Sequence, residues 1–249
     1  MGKELFTEFL KSLDGIYCIN LPKRVGKKNL MVQQFQNLDI EDHVTFVDGV
    51  SDPENPERGC WQAHQKVMQI ALENNQNNIL IFEDDAILVY VPGKIAIYTL
   101  DLLVQKRMRN WEIIYLGCCP AIAIQDNQTV FQECSSIKWV HATQTHAYIT
   151  NQTFMSRFVH CDYESYQCGI DTFYSRGYHN IGIFPSVFMQ RIGQSDVSPY
   201  DQNLRILGET YNAFKNMYVT FTDMSLLRLV CCIIVIFTLV LFILTIFFD

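Results

Sequence analysis

Patterns of buried strands and amphipathic helices alternate along most of the chain. Residues 15–21 (GIYCINL) form an apolar run stopped by Pro22, which predicts a buried strand opening onto a turn. Leu30, Met31, Phe35 and Leu38 then recur at helical spacing. Residues 43–50 predict a second strand closing on Asp48 and Gly49, and the loop SDPENPERG leads to a helix over 60–72, with Trp61, Val67, Met68, Ala71 and Leu72 for packing. Ile79, Leu80, Ile81 and Phe82 are apolar on both faces, as in a central strand covered by two helix layers, and Glu83, Asp84 and Asp85 follow directly. Pro92 suits the first turn of a helix through 100–108, and 111–117 is the next strand. Residues 118–136 show no clear period and predict a variable loop with a short hairpin. Residues 138–151 carry strand-type side chains and lead into a helix capped by Asn151 or Thr150. A short helix from Asp171 and a strand over 180–184 complete the pattern. Four or five strands alternating with helices predict an α/β domain with an open, mostly parallel sheet and helices on both faces.

The last stretch is of another kind. Residues 229–248 carry no charge, and as a helix they would reach about 30 Å, the thickness of a bilayer core. The expected organisation is therefore a domain over 1–222 and a C-terminal transmembrane anchor over 223–249. Lys215 and Arg228 flank the span on one side and Asp249 on the other, which favours a tail-anchored protein with its domain in the cytosol. Two sequons, at Asn127 and Asn151, would matter only if that domain were lumenal. The nine cysteines have no disulfide-like spacing and suit free thiols in a reducing compartment, and Cys118 and Cys119 lack the partners of a structural zinc site. The net charge of −7, with no basic stripe, argues against a nucleic-acid surface.

The acidic triplet carries the candidate chemistry. The C-terminal ends of strands are where open α/β sheets bind ligands, and alternation along a strand would put Glu83 and Asp85 on one side and Asp84 on the other. Two converging carboxylates can hold a hard divalent cation, which commonly bridges to phosphate oxygens.

Seven motifs in order, INLPKR, FVDGV, GCWQAH, IFEDDA, IIYLG, HAYIT and FMQRIGQSDV, resemble those of glycosyltransferase family 25, which includes lipopolysaccharide and collagen hydroxylysine galactosyltransferases. The resemblance implies a GT-A type fold and an inverting transfer of a hexose, galactose or glucose, from a UDP-sugar donor. It also implies Mn²⁺, with Mg²⁺ as a substitute, held by Glu83 and Asp85, and an acceptor that is a glycan, a lipid-linked sugar or a protein side chain. Asp171, in GIDTFY, matches the position expected of the catalytic base, with Asp196 and Asp201 as alternatives. The donor would be met by Asn20, Arg24, Asp48, His64, Asp84 and Gln190, with Ser195 and Asp196 bordering the cleft. Ala63 stands where the family usually has Ser. His141 and His146 could add a metal ligand, although a half-buried strand histidine explains each as well. A binding protein that keeps the shell without turnover is the competing expectation.

Overall fold

The computed structural model describes residues 2–119, 129–131, 134–140, 142–176 and 179–191. Its strands are β1 (Gly15–Asn20), β2 (Val44–Asp48), β3 (Asn78–Glu83), β4 (Ala86–Leu88), β5 (Ile113–Cys119), β6 (Thr129–Phe131), β7 (Cys134–Trp139), β8 (Thr143–Asn151), β9 (Asn180–Ile183) and β10 (Phe188–Gln190). Its helices are α1 (Gly2–Lys11), α2 (Val25–Asn37), α3 (Pro56–Glu73), α4 (Lys94–Val104), α5 (Gln152–Phe158), α6 (Tyr163–Tyr166) and α7 (Ile170–Ser175).

Eight strands form one sheet in the order β2-β1-β3-β8-β5-β9-β7-β6, and β4 pairs separately with β10. β1, β2, β3, β5, β6 and β9 run one way, while β7 and β8 run the other. The sheet is therefore mixed but mostly aligned, with more strands than periodicity suggested. The principal departure is β8, which lies antiparallel between β3 and β5 near the centre of the sheet. Alternation of side chains reveals that a segment is a strand, but carries no information on its direction or neighbours.

Each face has its own apolar layer. Leu80 and Phe82 point towards α1, α2 and α4, and Ile79 and Ile81 towards α3, α5, α6 and α7. All four β3 side chains are fully buried, as a central strand requires. Phe82 packs between Phe35 and Phe188, with ring centroids 5.3 and 4.9 Å away. Burying such a ring contributes roughly 1.5–3 kcal/mol, so Phe82 anchors β3 on this face.

Local sequence explains where the elements begin. α3 starts four residues before the expected Cys60 because Asn55 caps it, accepting from the Arg58 amide at 3.0 Å, with Pro56 in the first turn. A side chain at Gly59 would meet the Val50 carbonyl at 2.7 Å, so glycine there lets α3 approach the loop after β2. β3 ends at Glu83, and Asp84 and Asp85 form a tight turn into β4. The chain then passes Pro92, and Gly93 rather than a proline caps α4. Gln34 of α2 latches β4, donating to the Ala86 carbonyl and accepting from the Leu88 amide. The stretch expected to be a variable loop with a short hairpin contains β6 and the start of β7, which pair antiparallel as a hairpin would.

Among the described residues no helix is long and apolar enough to cross a membrane. The expected span over 229–248 lies outside the described residues, as do the domain boundary near 222, the Asn127 sequon, His141, Ser195, Asp196 and Asp201. The second sequon is inside. Asn151 is the N-cap of α5: its carbonyl oxygen accepts from the Phe154 amide at 3.0 Å and its amide donates to the Trp111 carbonyl. The nitrogen that would carry a glycan is thus committed to holding α5 against the chain before β5.

Candidate functional site

The carboxyl ends of β1, β2 and β3 open onto a cleft of about 320 Å³, closed on one side by the first turns of α3. Arg24, Cys60, His64, Glu83 and Asp84 line it, together with apolar and turn residues from the ends of β1 and β2. The sheet delivers these side chains from four separate segments, which is why no single sequence motif describes the site.

The acidic triplet is divided by the turn rather than by strand alternation. Glu83, the last residue of β3, faces α3 and β8: its Oε1 accepts from the Thr145 hydroxyl at 2.6 Å and lies 3.4 Å from His64 Nε2. Asp84 is buried and paired with cations at the start of α2, 3.0 Å from Nη1 of the N-cap Arg24 and 3.4 Å from Lys27 Nζ. Asp85 turns towards β10, where its Oδ2 accepts from the Gln190 amide at 3.2 Å, with Lys27 Nζ at 3.7 Å. Its other oxygen is buried and makes no hydrogen bond.

Charge is unevenly stabilised across the group. Burial pushes Glu83 up, but His64 and the Thr145 hydroxyl more than reverse this and hold it below the ordinary carboxylate range. Asp85 goes the other way, because burial and the charges of Glu83 and Asp84 outweigh Lys27 and Gln190.

Asp171, in the first turn of α7, is brought to the same place. Its Oδ1 lies 3.0 Å from Thr145 Oγ1, so one hydroxyl stands between Asp171 and Glu83. Burial first, and the Glu83 charge second, raise its carboxyl to about 6, against the Thr145 hydroxyl and the Gln144 amide. Gln144 takes a left-handed backbone (φ 77°), and its N–H serves Asp171.

The other expected residues are placed as follows. His64 is buried on α3, with Nδ1 2.8 Å from the Tyr148 hydroxyl, which in turn meets Tyr174 at 3.1 Å. Asn20 is buried at the end of β1 with its amide donating to the Leu21 carbonyl, and Asp48 is exposed at the end of β2. Both stand at the correct edge of the sheet without lining the cleft. His146 is buried beside β10, with Nε2 3.2 Å from the Phe188 carbonyl. Three participants escaped the sequence reading. Lys27 is one of several basic residues in KRVGKK, and Thr145 reads only as a strand residue. Cys60 could have been found, since it precedes His64 by four residues and the two share one helical face.

These features define an α/β domain with a polar, carboxylate-rich cleft at its strand ends. The family model of Glycosyltransferase family 25 (LPS biosynthesis protein) matches residues 54–173, a segment that includes α3, the acidic triplet, β8 and Asp171. This match, over somewhat less than half of the chain, supports a glycosyltransferase, in line with the ordered motifs. No curated protein matches it. Among solved structures it is similar to a mannose-1-phosphate geranyltransferase from Thermus thermophilus, at 8% identity and a TM-score of 0.36, covering 73% of this chain and 60% of that one. It is also similar to a cytidylyltransferase from Leptospira borgpetersenii, at 11% identity and a TM-score of 0.38, covering 84% of each chain.

Proposed function

We propose that the protein is an inverting glycosyltransferase of GT-A type that moves a hexose, galactose or glucose, from a UDP-sugar to a hydroxyl of a glycan, a lipid-linked sugar or a hydroxylysine side chain. The observation that carries this reading is the convergence of Asp171 with Glu83 through Thr145 beside a cleft lined by Arg24 and Asp84.

The residues suit the work. Arg24 and Lys27 would orient the donor phosphates, because a guanidinium fork and an ammonium both suit anionic oxygens. Asp171 would take the acceptor proton, and a carboxyl near 6 is close to the operating pH of an efficient base. The acceptor oxygen then bonds to the anomeric carbon from the face opposite the diphosphate, whose oxygen leaves with the bonding electron pair. Glu83 and Asp85 are the candidate holders of a divalent cation: Asp85 retains a buried oxygen with no hydrogen bond, and burial and the charges of Glu83 and Asp84 disfavour its carboxylate. Mn²⁺ or Mg²⁺ held there would supply positive charge to the diphosphate as its own charge develops. The uncharged stretch over 229–248 supports attachment of this domain to a membrane, with the cytosolic side favoured.

The test is donor binding. With Mn²⁺ present, UDP-galactose or UDP-glucose should raise the melting temperature and be slowly hydrolysed. No stabilisation by any UDP-sugar, with the metal present, would overturn the reading.

A further inference from the structure

The cleft wall holds a group of side chains that sugar transfer does not require. Cys60 and His64 lie four residues apart on α3, on one face of the helix, and Glu83 closes the group from the end of β3. One potential ligand atom from each lies within 4.8 Å of the other two. His64 Nε2 is fully buried and makes no hydrogen bond, although it points at Glu83. Glu83 Oε1, 3.4 Å away, is its nearest charged neighbour, and a cation between the two would satisfy both.

We propose that Cys60, His64 and Glu83 form a three-ligand site for a borderline-soft divalent cation, of which zinc is the best match, with its fourth position open to the cleft. One thiolate, one imidazole and one carboxylate are a mixed S/N/O set, which favours zinc over manganese. A tetrahedral zinc spaces its ligands roughly 3.3–3.8 Å apart, so the group closes on the ion with about 1 Å of side-chain movement. The outer contacts are those of a ligating histidine. When Nε2 carries the metal, Nδ1–H donates to the Tyr148 hydroxyl, and Tyr148 donates to Tyr174, which fixes the ring and its tautomer. The Thr145 hydroxyl restrains Glu83 in the same way.

Without a cation the arrangement is poor. Metal binding here takes the thiolate, so the ion would displace the Cys60 proton. Both the site and the cleft involve Glu83 and His64, and the fourth position would take water or a phosphate oxygen of a ligand in the cleft. The site does not depend on the hexose or on Mn²⁺, because one carboxylate can bridge two cations.

Cobalt reads the thiolate directly. The full-length chain, stripped with chelator and titrated with Co²⁺, should show a sulfur-to-cobalt charge-transfer band, and Zn²⁺ should abolish it at one equivalent. Cys60→Ser should remove the band and weaken Zn²⁺ at least tenfold, while far-ultraviolet circular dichroism stays unchanged. Asp85→Asn should leave the band intact while weakening Mn²⁺-dependent binding of a UDP-sugar, which separates this site from the donor reading. The proposal is overturned if Co²⁺ binds without the band, or if Cys60→Ser and Cys60→Ala both keep the parent affinity for Zn²⁺.

Discussion

Thr145 has one hydroxyl proton and two carboxylate neighbours, so it cannot donate to Glu83 and Asp171 at once. When Asp171 is protonated the conflict disappears: Asp171 donates to Thr145 and Thr145 donates to Glu83. Burial and the Glu83 charge hold the Asp171 carboxyl near 6, and Thr145 opposes them whenever it donates to the ionised form. A base must be ionised, so transfer should rise with pH along a limb centred at about 6. Thr145→Val removes a donor to the ionised form and should shift that limb to higher pH, read from kcat against pH. Asp171→Asn should keep UDP-sugar binding but lose transfer by about 10²–10⁴. The same shift has a stability consequence of opposite sign. The folded state binds the Asp171 proton more tightly than the unfolded state, so stability is lost as pH rises through about 6. Asp171→Asn avoids that loss. Its melting temperature should exceed the parent's at pH 7, and the gap should narrow towards pH 4.

The helices and strands show what a linear pattern can encode. The buried faces of α3 and β3 repeat with periods set by their own backbones, so Trp61, Val67, Met68 and Ile79–Phe82 were legible as core. The direction of β8 was not, because its partners β3 and β5 are chosen by the sheet as a whole. The site shares this division. Glu83, Asp84 and Asp85 announced themselves by adjacency, and Asp171 by its place in an ordered motif. Thr145 became visible only once β8 lay against β3. Alternation failed at Glu83 because the strand stops there, and the two aspartates follow the geometry of a turn. Asn151 gives this a practical edge. Asn151→Gln, the usual way to remove a sequon, should cost about 1 kcal/mol in chemical denaturation because it also removes the α5 cap. Thr153→Ala removes the same sequon at an exposed position and should leave the midpoint unchanged.

At the scale of the molecule, the β4–β10 pair meets the main sheet at one glycine. A side chain at Gly117 would collide with the Phe188 carbonyl and with His146, so only glycine lets β5 carry β10 across its surface. Gly117→Ala should displace β10, withdraw Gln190 from Asp85 and lower the melting temperature, with a cost of roughly 1–3 kcal/mol. Mn²⁺-dependent UDP-sugar binding should weaken with it, whereas Thr153→Ala, remote from β10, should leave that binding alone.

The pairing of β4 with β10 also sets an order of events in time. Ala86–Leu88 follow the acidic turn immediately, but their partners Phe188–Gln190 are made about a hundred residues later, so a nascent chain exposes Asp84 and Asp85 long before Gln190 exists to receive Asp85. A fragment cut to the limits of the matched family segment would contain all three acidic residues and Asp171 but lack the strand that shapes their turn.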